Sequence, residues 1–145
     1  MSSQTLNESV IGSAKAGASK YSKVLLIDDN SLDNFVNKKL LESIGFAQEV
    51  TAFQSPVEAL DFIKNAKHTE LPEVIFLDIN MPEMDGFQFL DAFALLTEAT
   101  QNQCKIIMLS TSESFKDLNR ANKNRFIKKF LNKPLTAQTV QAINV

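Results

Sequence analysis

Apolar runs alternate with stretches of helical periodicity along most of the chain. Five short runs are typical of strands buried on both faces of a parallel sheet. They lie at 24–27, 50–53, 74–77, 105–109 and 126–131, the second being the weakest. Between them, apolar residues recur every three or four positions, which predicts helices.

Capping signals mark where several of these helices begin or end. Gly45 suits the end of the first, and Ser55 followed by Pro56 predicts the start of the second. The third follows Gly86 and covers about 87–95, and the last two cover about 114–121 and 136–143. The apolar positions of the first predicted helix are Phe35, Val36, Leu40, Leu41 and Ile44.

The alternation of strands and helices defines the fold class. Parallel neighbours need crossover connections, which are right-handed and carry the helices onto both faces of the sheet. The sequence therefore predicts an α/β fold, a doubly wound five-stranded parallel sheet with helices on both faces.

Residues 1–22 have a different composition, rich in Ser, Ala and Gly with scattered apolar positions. Such a segment cannot bury enough apolar surface to fold by itself, so it is predicted to be a flexible N-terminal tail ahead of one domain at 23–145. A short amphipathic docking helix is the alternative for this segment.

Composition narrows the class of protein. The 145 residues are 44% hydrophobic, enough for one core. A net charge of -2 and a pI near 5.4 give no general attraction to nucleic acid or to a membrane surface. Since Cys104 is the single cysteine and no run has the roughly 18 apolar residues of a membrane span, we expect a soluble, cytoplasmic protein.

Polar residues follow four of the predicted strands. Asp28 and Asp29 follow the first, Asp78 the third, Ser110 the fourth and Lys133 the fifth. These strand ends meet at one edge of a parallel sheet, where ligands bind in such folds. Three neighbouring carboxylates need a cation, and Mg²⁺ prefers oxygen ligands. With a lysine and a hydroxyl added, the set could hold a phosphoryl group.

Simpler structural explanations exist for several of these residues. Asp28 or Asp29 could cap the helix that follows, Ser110 could be a turn residue, and Lys133 could be an ordinary surface lysine. Asp78 has no such explanation, because an unpaired acid that ends a buried strand is costly. The loop at 81–86 is predicted to be tight, with Gly86 adopting backbone angles that other residues avoid.

Four motifs occur together in a fixed order. They are the acid pair at 28–29, DINMPEMDG at 78–86, IIMLS at 106–110 and LNKP at 131–134. In this order the chain resembles the receiver domain of two-component response regulators, the CheY-like family, over nearly all of 23–145. The resemblance implies a flavodoxin-like fold with strand order 2-1-3-4-5.

The resemblance also implies roles for the acidic residues and the lysine. Asp78 would accept a phosphoryl group from a phosphohistidine on a partner protein. Mg²⁺ would be bound by Asp29, Asp78 and the main-chain carbonyl of Asn80, with Asp28 acting through water. Lys133 would pair with Asp78 and then with the phosphoryl oxygens.

Further residues would transmit the signal. Ser110 would hydrogen-bond the phosphoryl group, and Phe130 stands in place of the family's aromatic switch residue, although an aromatic in a strand is also an ordinary core residue. Thr111 is bulkier than the residue usual there, and we expect it to slow access by water or small phosphodonors. The output face is more basic than usual, with Lys128 and Lys129 in its strand.

The expected function is that of a stand-alone receiver, since the chain stops at Val145. Its partners would be a histidine kinase or a histidine phosphotransfer protein and an unknown downstream protein target, and it would lose the phosphoryl group slowly by itself. One alternative is a Mg²⁺-dependent phosphohydrolase with Asp28 as nucleophile. Another is an interaction module that works without phosphorylation. A flavin-binding role is set aside, because acids after the first strand would repel a phosphate.

Overall fold

The computed structural model describes residues 19–111 and 115–145. The strands are β1 (Tyr21–Ile27), β2 (Ala47–Phe53), β3 (Val74–Asp78), β4 (Lys105–Ser110) and β5 (Ile127–Asn132). The helices are α1 (Ser31–Ser43), α2 (Pro56–Asn65), α3 (Gly86–Phe93), α4 (Glu98–Gln103), α5 (Phe115–Lys123) and α6 (Ala137–Gln141). All neighbouring strands are parallel, in the order β2-β1-β3-β4-β5. The doubly wound α/β fold and its strand order are therefore confirmed.

The core consists of two apolar layers, one on each face of the sheet. Alternate residues of β1 enter different layers: Val24 and Leu26 pack with residues of α1 and α6, whereas Leu25 and Ile27 pack with residues of α2 and α3. The central strands are thus covered on both faces, which explains why their sequences are continuously apolar.

The predicted apolar face of α1 is wrong at its N-terminal end. Phe35 is 59% exposed and Val36 is 53% exposed, while Asn34, Asn37 and Leu41 are buried. The Nδ2 of Asn34 donates to the main-chain oxygen of Asp28 at 2.9 Å. The stripe that faces the sheet therefore begins with Asn34, whose amide satisfies a strand-end carbonyl, a role that hydrophobic periodicity cannot predict.

The region after α3 also differs from expectation. The third helix was predicted to reach Leu95, but α3 ends at Phe93, and Leu95 is 86% exposed. The following helix, α4, was not predicted. Apart from Ala99 it is polar, so no apolar stripe signals it, and its N-cap Thr97 accepts a hydrogen bond from the backbone N–H of Thr100 at 3.3 Å.

Other boundaries agree closely with the sequence. Ser55 caps α2 by accepting from the backbone N–H of Glu58 at 3.2 Å, and Pro56 is the first helical residue, as predicted. β1 starts at Tyr21, inside the segment predicted as a tail. Residues 1–18 of that tail and the predicted helix start at Ser114 lie outside the described residues. Within the described ranges, no helix has the length and apolarity needed to cross a membrane.

Candidate functional site

Three carboxylates converge at the carboxyl edge of the sheet. Asp28 directly follows β1, Asp78 is the last residue of β3, and these strands are adjacent. Carboxylate oxygens of Asp28, Asp29 and Asp78 all lie within 4.8 Å of one another. Asp28 and Asp78 are buried, whereas Asp29 is exposed. The arrangement therefore concentrates negative charge at one place, and Asp29 forms its solvent-exposed side.

Lys133 supplies the positive charge of this cluster. Its Nζ lies 2.7 Å from Asp28 Oδ2, 3.2 Å from Asp78 Oδ1 and 3.2 Å from Asp33 Oδ2. Burial by itself would lower the pKa of Lys133, but the hydrogen bond to Asp28 and the charges of Asp78 and Asp28 raise it above its usual value. Lys133 is therefore a fixed cation at every pH at which the protein would work.

One ammonium group does not fully compensate the acids around it. The pKa of Asp78 is raised to about 6, first by burial and then by the negative charge of Asp28, although Lys133 acts in the opposite direction. A carboxylate with a raised pKa beside two further acids is short of positive charge. The oxygen donors gathered here could hold a hard divalent cation such as Mg²⁺.

The capping interpretation of the acid pair is wrong, because Asn30 caps α1. The Asn30 side chain accepts from the backbone N–H of Asp33 at 3.0 Å, and the Asn30 N–H donates to Asp28 Oδ1 at 2.9 Å. Asp28 thus supports the cap only indirectly. Asp33, which none of the sequence motifs includes, approaches Lys133 from the first turn of α1. The sequence feature that could have indicated this role is its position, about one helical turn after the acid pair.

Gly86 is needed for a different reason from the one expected. Positive φ occurs at Gly45 (73°) and not at Gly86. A Cβ on Gly86 would instead lie 2.8 Å from the main-chain oxygen of Asp78 and 3.1 Å from the Cα of Ile79. The Gly86 N–H also donates to the Ile79 oxygen at 2.7 Å. The start of α3 is therefore packed directly against the end of β3, which holds the backbone of Asp78 in position.

The remaining predicted residues lie around this centre. Ser110 is fully buried at the end of β4, and its main-chain oxygen accepts from the Lys133 N–H at 2.8 Å. Thr111, which follows Ser110, is exposed. Asn80, two residues after Asp78, is also exposed. Phe130 is half-buried and packs against the apolar layer under α2 and α3.

Known proteins share both the sequence pattern and the fold. The family model for the response regulator receiver domain matches residues 24–144. The probable methanogenesis regulatory protein FilR2 of Methanothrix harundinacea is 26% identical over 120 residues, which cover 81% of this chain and 76% of that protein. The sensor histidine kinase CheAY of Helicobacter pylori is 36% identical over 84 residues. That match covers 58% of this chain and 10% of that longer protein.

Solved structures agree with the sequence match. A response regulator receiver protein from Dyadobacter fermentans superposes with a TM-score of 0.76 at 29% identity. The superposition covers 83% of this chain and 92% of that one.

Proposed function

Because the chain belongs to the response regulator receiver family, we propose that it accepts a phosphoryl group on Asp78 from a phosphohistidine of a partner protein. The observation that carries the proposal is the position of the Asp78 carboxylate. It ends a buried strand, lies 3.2 Å from the Lys133 ammonium, and lies within 4.8 Å of the oxygens of Asp28 and Asp29.

In the proposed reaction an oxygen of the Asp78 carboxylate attacks phosphorus. The new P–O bond forms as the P–N bond to imidazole breaks, and the electron pair of that bond stays on the imidazole nitrogen. The attacking group must be ionised, which the pKa of about 6 allows at neutral pH. Lys133 and the hydroxyl of Ser110 would then face the phosphoryl oxygens.

A bound Mg²⁺ would complete the charge balance. Asp29, Asp78 and the main-chain carbonyl of Asn80 would hold it, with Asp28 contributing through a water molecule. When bound, it would supply positive charge against the phosphoryl oxygens. The clustered oxygens and the raised pKa of Asp78 support this assignment.

The phosphodonor is proposed to dock on the exposed apolar side of α1. Leu32, Phe35 and Val36 are all more than half exposed there. Asp33 lies among them in sequence and contacts Lys133, so a partner seated on this side would be next to the acceptor. An apolar helix face of a histidine-containing phosphodonor is the occupant we propose, because docking must bring its phosphohistidine to Asp78.

The signal would leave through β5. The hydrogen bond from the Lys133 N–H to the Ser110 oxygen links the end of β4 to the residue that follows β5. If Ser110 and Lys133 both turn toward a phosphoryl group, the surface formed by α5, β5 and α6 changes its affinity for a downstream protein target.

Beryllofluoride, which mimics a bound phosphoryl group, tests this function directly. We expect ¹⁹F NMR to detect a bound species with the native protein and Mg²⁺, and no bound species with Asp78→Asn or with the metal chelated. Asp85→Asn is the matched control, since Asp85 caps α3 in the same loop and asparagine can also cap. Binding that persists in Asp78→Asn would refute the proposal.

A further inference from the structure

The C-terminal part of the chain carries a strong positive charge. Between Phe115 and Lys133 there are seven Lys or Arg residues and one acid, Asp117. The rest of the chain has eight basic and sixteen acidic residues. The net charge of -2 therefore hides two regions of opposite sign, and a region of one sign attracts partners of the other.

Two of these cations converge with Lys105 in one small cleft. Lys105, Arg125 and Lys128 line a volume of about 110 Å³ together with Gln101 and Asn102. Lys105 begins β4, and Arg125 precedes β5, so the cleft lies at the amino edge of the sheet, at the opposite end of the strands from Asp78. None of the described residues that line this basic cleft is acidic.

Uncharged contacts hold two of these side chains in the basic cleft. The Arg125 guanidinium lies 4.2 Å from the ring centre of Phe126, and Lys105 Nζ donates to the main-chain oxygen of Asn102 at 2.8 Å. Neither contact neutralises a charge. Lys128 falls at a shift of register, because Ile127 pairs with Ile106 and Lys129 pairs with Ile107. Such a bulge redirects a side chain.

Protection of an edge strand does not explain the whole cleft. Exposed lysines on an edge strand commonly prevent pairing with other chains, and this would account for Lys128 and Lys129. It does not account for Lys105, which belongs to an interior strand, or for Arg125, which precedes β5.

We infer that the basic cleft binds a short acidic segment of a partner protein. Lys123 and Lys129, which lie within two residues of Arg125 and Lys128 in sequence, are also exposed, so this part of the chain carries more positive charge than a single small anion would neutralise. A long nucleic acid would be repelled by the acidic remainder of the chain. Phe126 is also buried, so the cleft offers no exposed ring on which a base could stack. This binding does not require phosphorylation of Asp78 and goes beyond the proposed function.

The test measures fluorescence anisotropy of a labelled oligoglutamate peptide, with an oligoglutamine peptide as the uncharged probe. The double variant Arg125→Glu with Lys128→Glu should weaken oligoglutamate binding about tenfold or more. Lys64→Glu with Lys67→Glu is the matched control. Both of its positions are exposed, and it changes the net charge equally, so the affinity should stay within about twofold. Lys105→Gln should weaken binding even if the double variant does not fold.

Several results would overturn the inference. These are absence of oligoglutamate binding, equal losses in both double variants, or an unchanged affinity in Lys105→Gln. Tighter binding of a single-stranded oligonucleotide through the same residues would assign the cleft to nucleic acid. If inorganic phosphate bound at a defined stoichiometry and displaced the oligoglutamate peptide completely, the basic cleft would be a site for a small anion.

Discussion

At the scale of single residues, the site is governed by a shortage of positive charge. Lys133 is shared among Asp28, Asp33 and Asp78, and the pKa of Asp78 remains raised. Sequence position was sufficient to gather the acids and the lysine, because strand ends of a parallel sheet meet at one edge. It could not predict that Asn30 caps α1 or that Asp33 reaches Lys133, since both depend on the orientation of the first helical turn.

The raised pKa predicts that Asp78→Asn stabilises the protein at neutral pH without metal. The folded-state pKa of about 6 exceeds the ordinary value of 3.8, so folding favours the protonated form. The contribution of Asp78 to stability is therefore present at low pH and is lost as the pH rises through about 6. At about pH 7.5, in EDTA, the variant should gain about 1–3 kcal/mol in free energy of unfolding.

Urea denaturation at several pH values measures this gain. The difference between the variant and the native protein should begin to shrink as the pH falls below about 6 and should approach zero only below the ordinary pKa of 3.8, near about pH 3. Added Mg²⁺ should also reduce it by stabilising the ionised carboxylate of the native protein. If the two proteins had the same free energy of unfolding, or if the difference between them were the same at high and at low pH, ionised Asp78 would not be destabilising.

Gly86→Ala should destabilise the protein and disturb the site. The added Cβ would lie 2.8 Å from the main-chain oxygen of Asp78, and a backbone atom cannot move away cheaply. We expect a loss of about 1–3 kcal/mol in urea denaturation and weaker beryllofluoride binding. Gly45→Ala serves as the comparison: its positive φ makes alanine unfavourable there by about 1 kcal/mol, but its distance from Asp78 should leave beryllofluoride binding unchanged. If Gly86→Ala and Gly45→Ala weakened beryllofluoride binding equally, the packing of Gly86 against Asp78 would not be what the site requires.

At the scale of elements, strands were predicted more reliably than helix faces. The three central strands, β1, β3 and β4, have neighbours on both sides and are largely buried, so their apolar runs carry the signal without reference to orientation. In α1 the apolar periodicity included exposed residues, because Asn34 and Asn37 occupy the inward face near the strand ends. The polar helix α4 gave no periodic signal at all.

The exposed side of α1 gives a prediction about phosphotransfer. Phe35→Ser should slow phosphorylation by a phosphohistidine donor about tenfold, because exposed aromatic anchors often dominate docking. Labelling by acetyl phosphate, which needs no docking surface, should be unchanged. Leu95→Ser is the control, since Leu95 is equally apolar and more exposed but lies after α3. If both variants slow the transfer equally, or if acetyl phosphate labelling falls as well, α1 is not the docking surface.

At the scale of the whole molecule, the sheet separates two regions of opposite charge. The acidic site lies at the carboxyl edge of the strands, and the basic cleft of Lys105, Arg125 and Lys128 lies at the amino edge. The total charge predicted neither region. Binding sites therefore have to be sought in the distribution of charge over the fold. The phosphohydrolase alternative is weakened at this scale, because both carboxylate oxygens of Asp28 are engaged, by Lys133 and by the Asn30 N–H.

Intact-protein mass spectrometry with peptide mapping, after incubation with acetyl phosphate and Mg²⁺, shows whether Asp78 accepts a phosphoryl group. We expect one base-labile phosphoryl adduct, mapped to Asp78, that disappears in Asp78→Asn and persists in Asp85→Asn. An adduct mapped to Asp28 with turnover of phosphate esters would support the hydrolase alternative. If no adduct forms with acetyl phosphate or with a range of histidine kinases, Asp78 is not a phosphoacceptor.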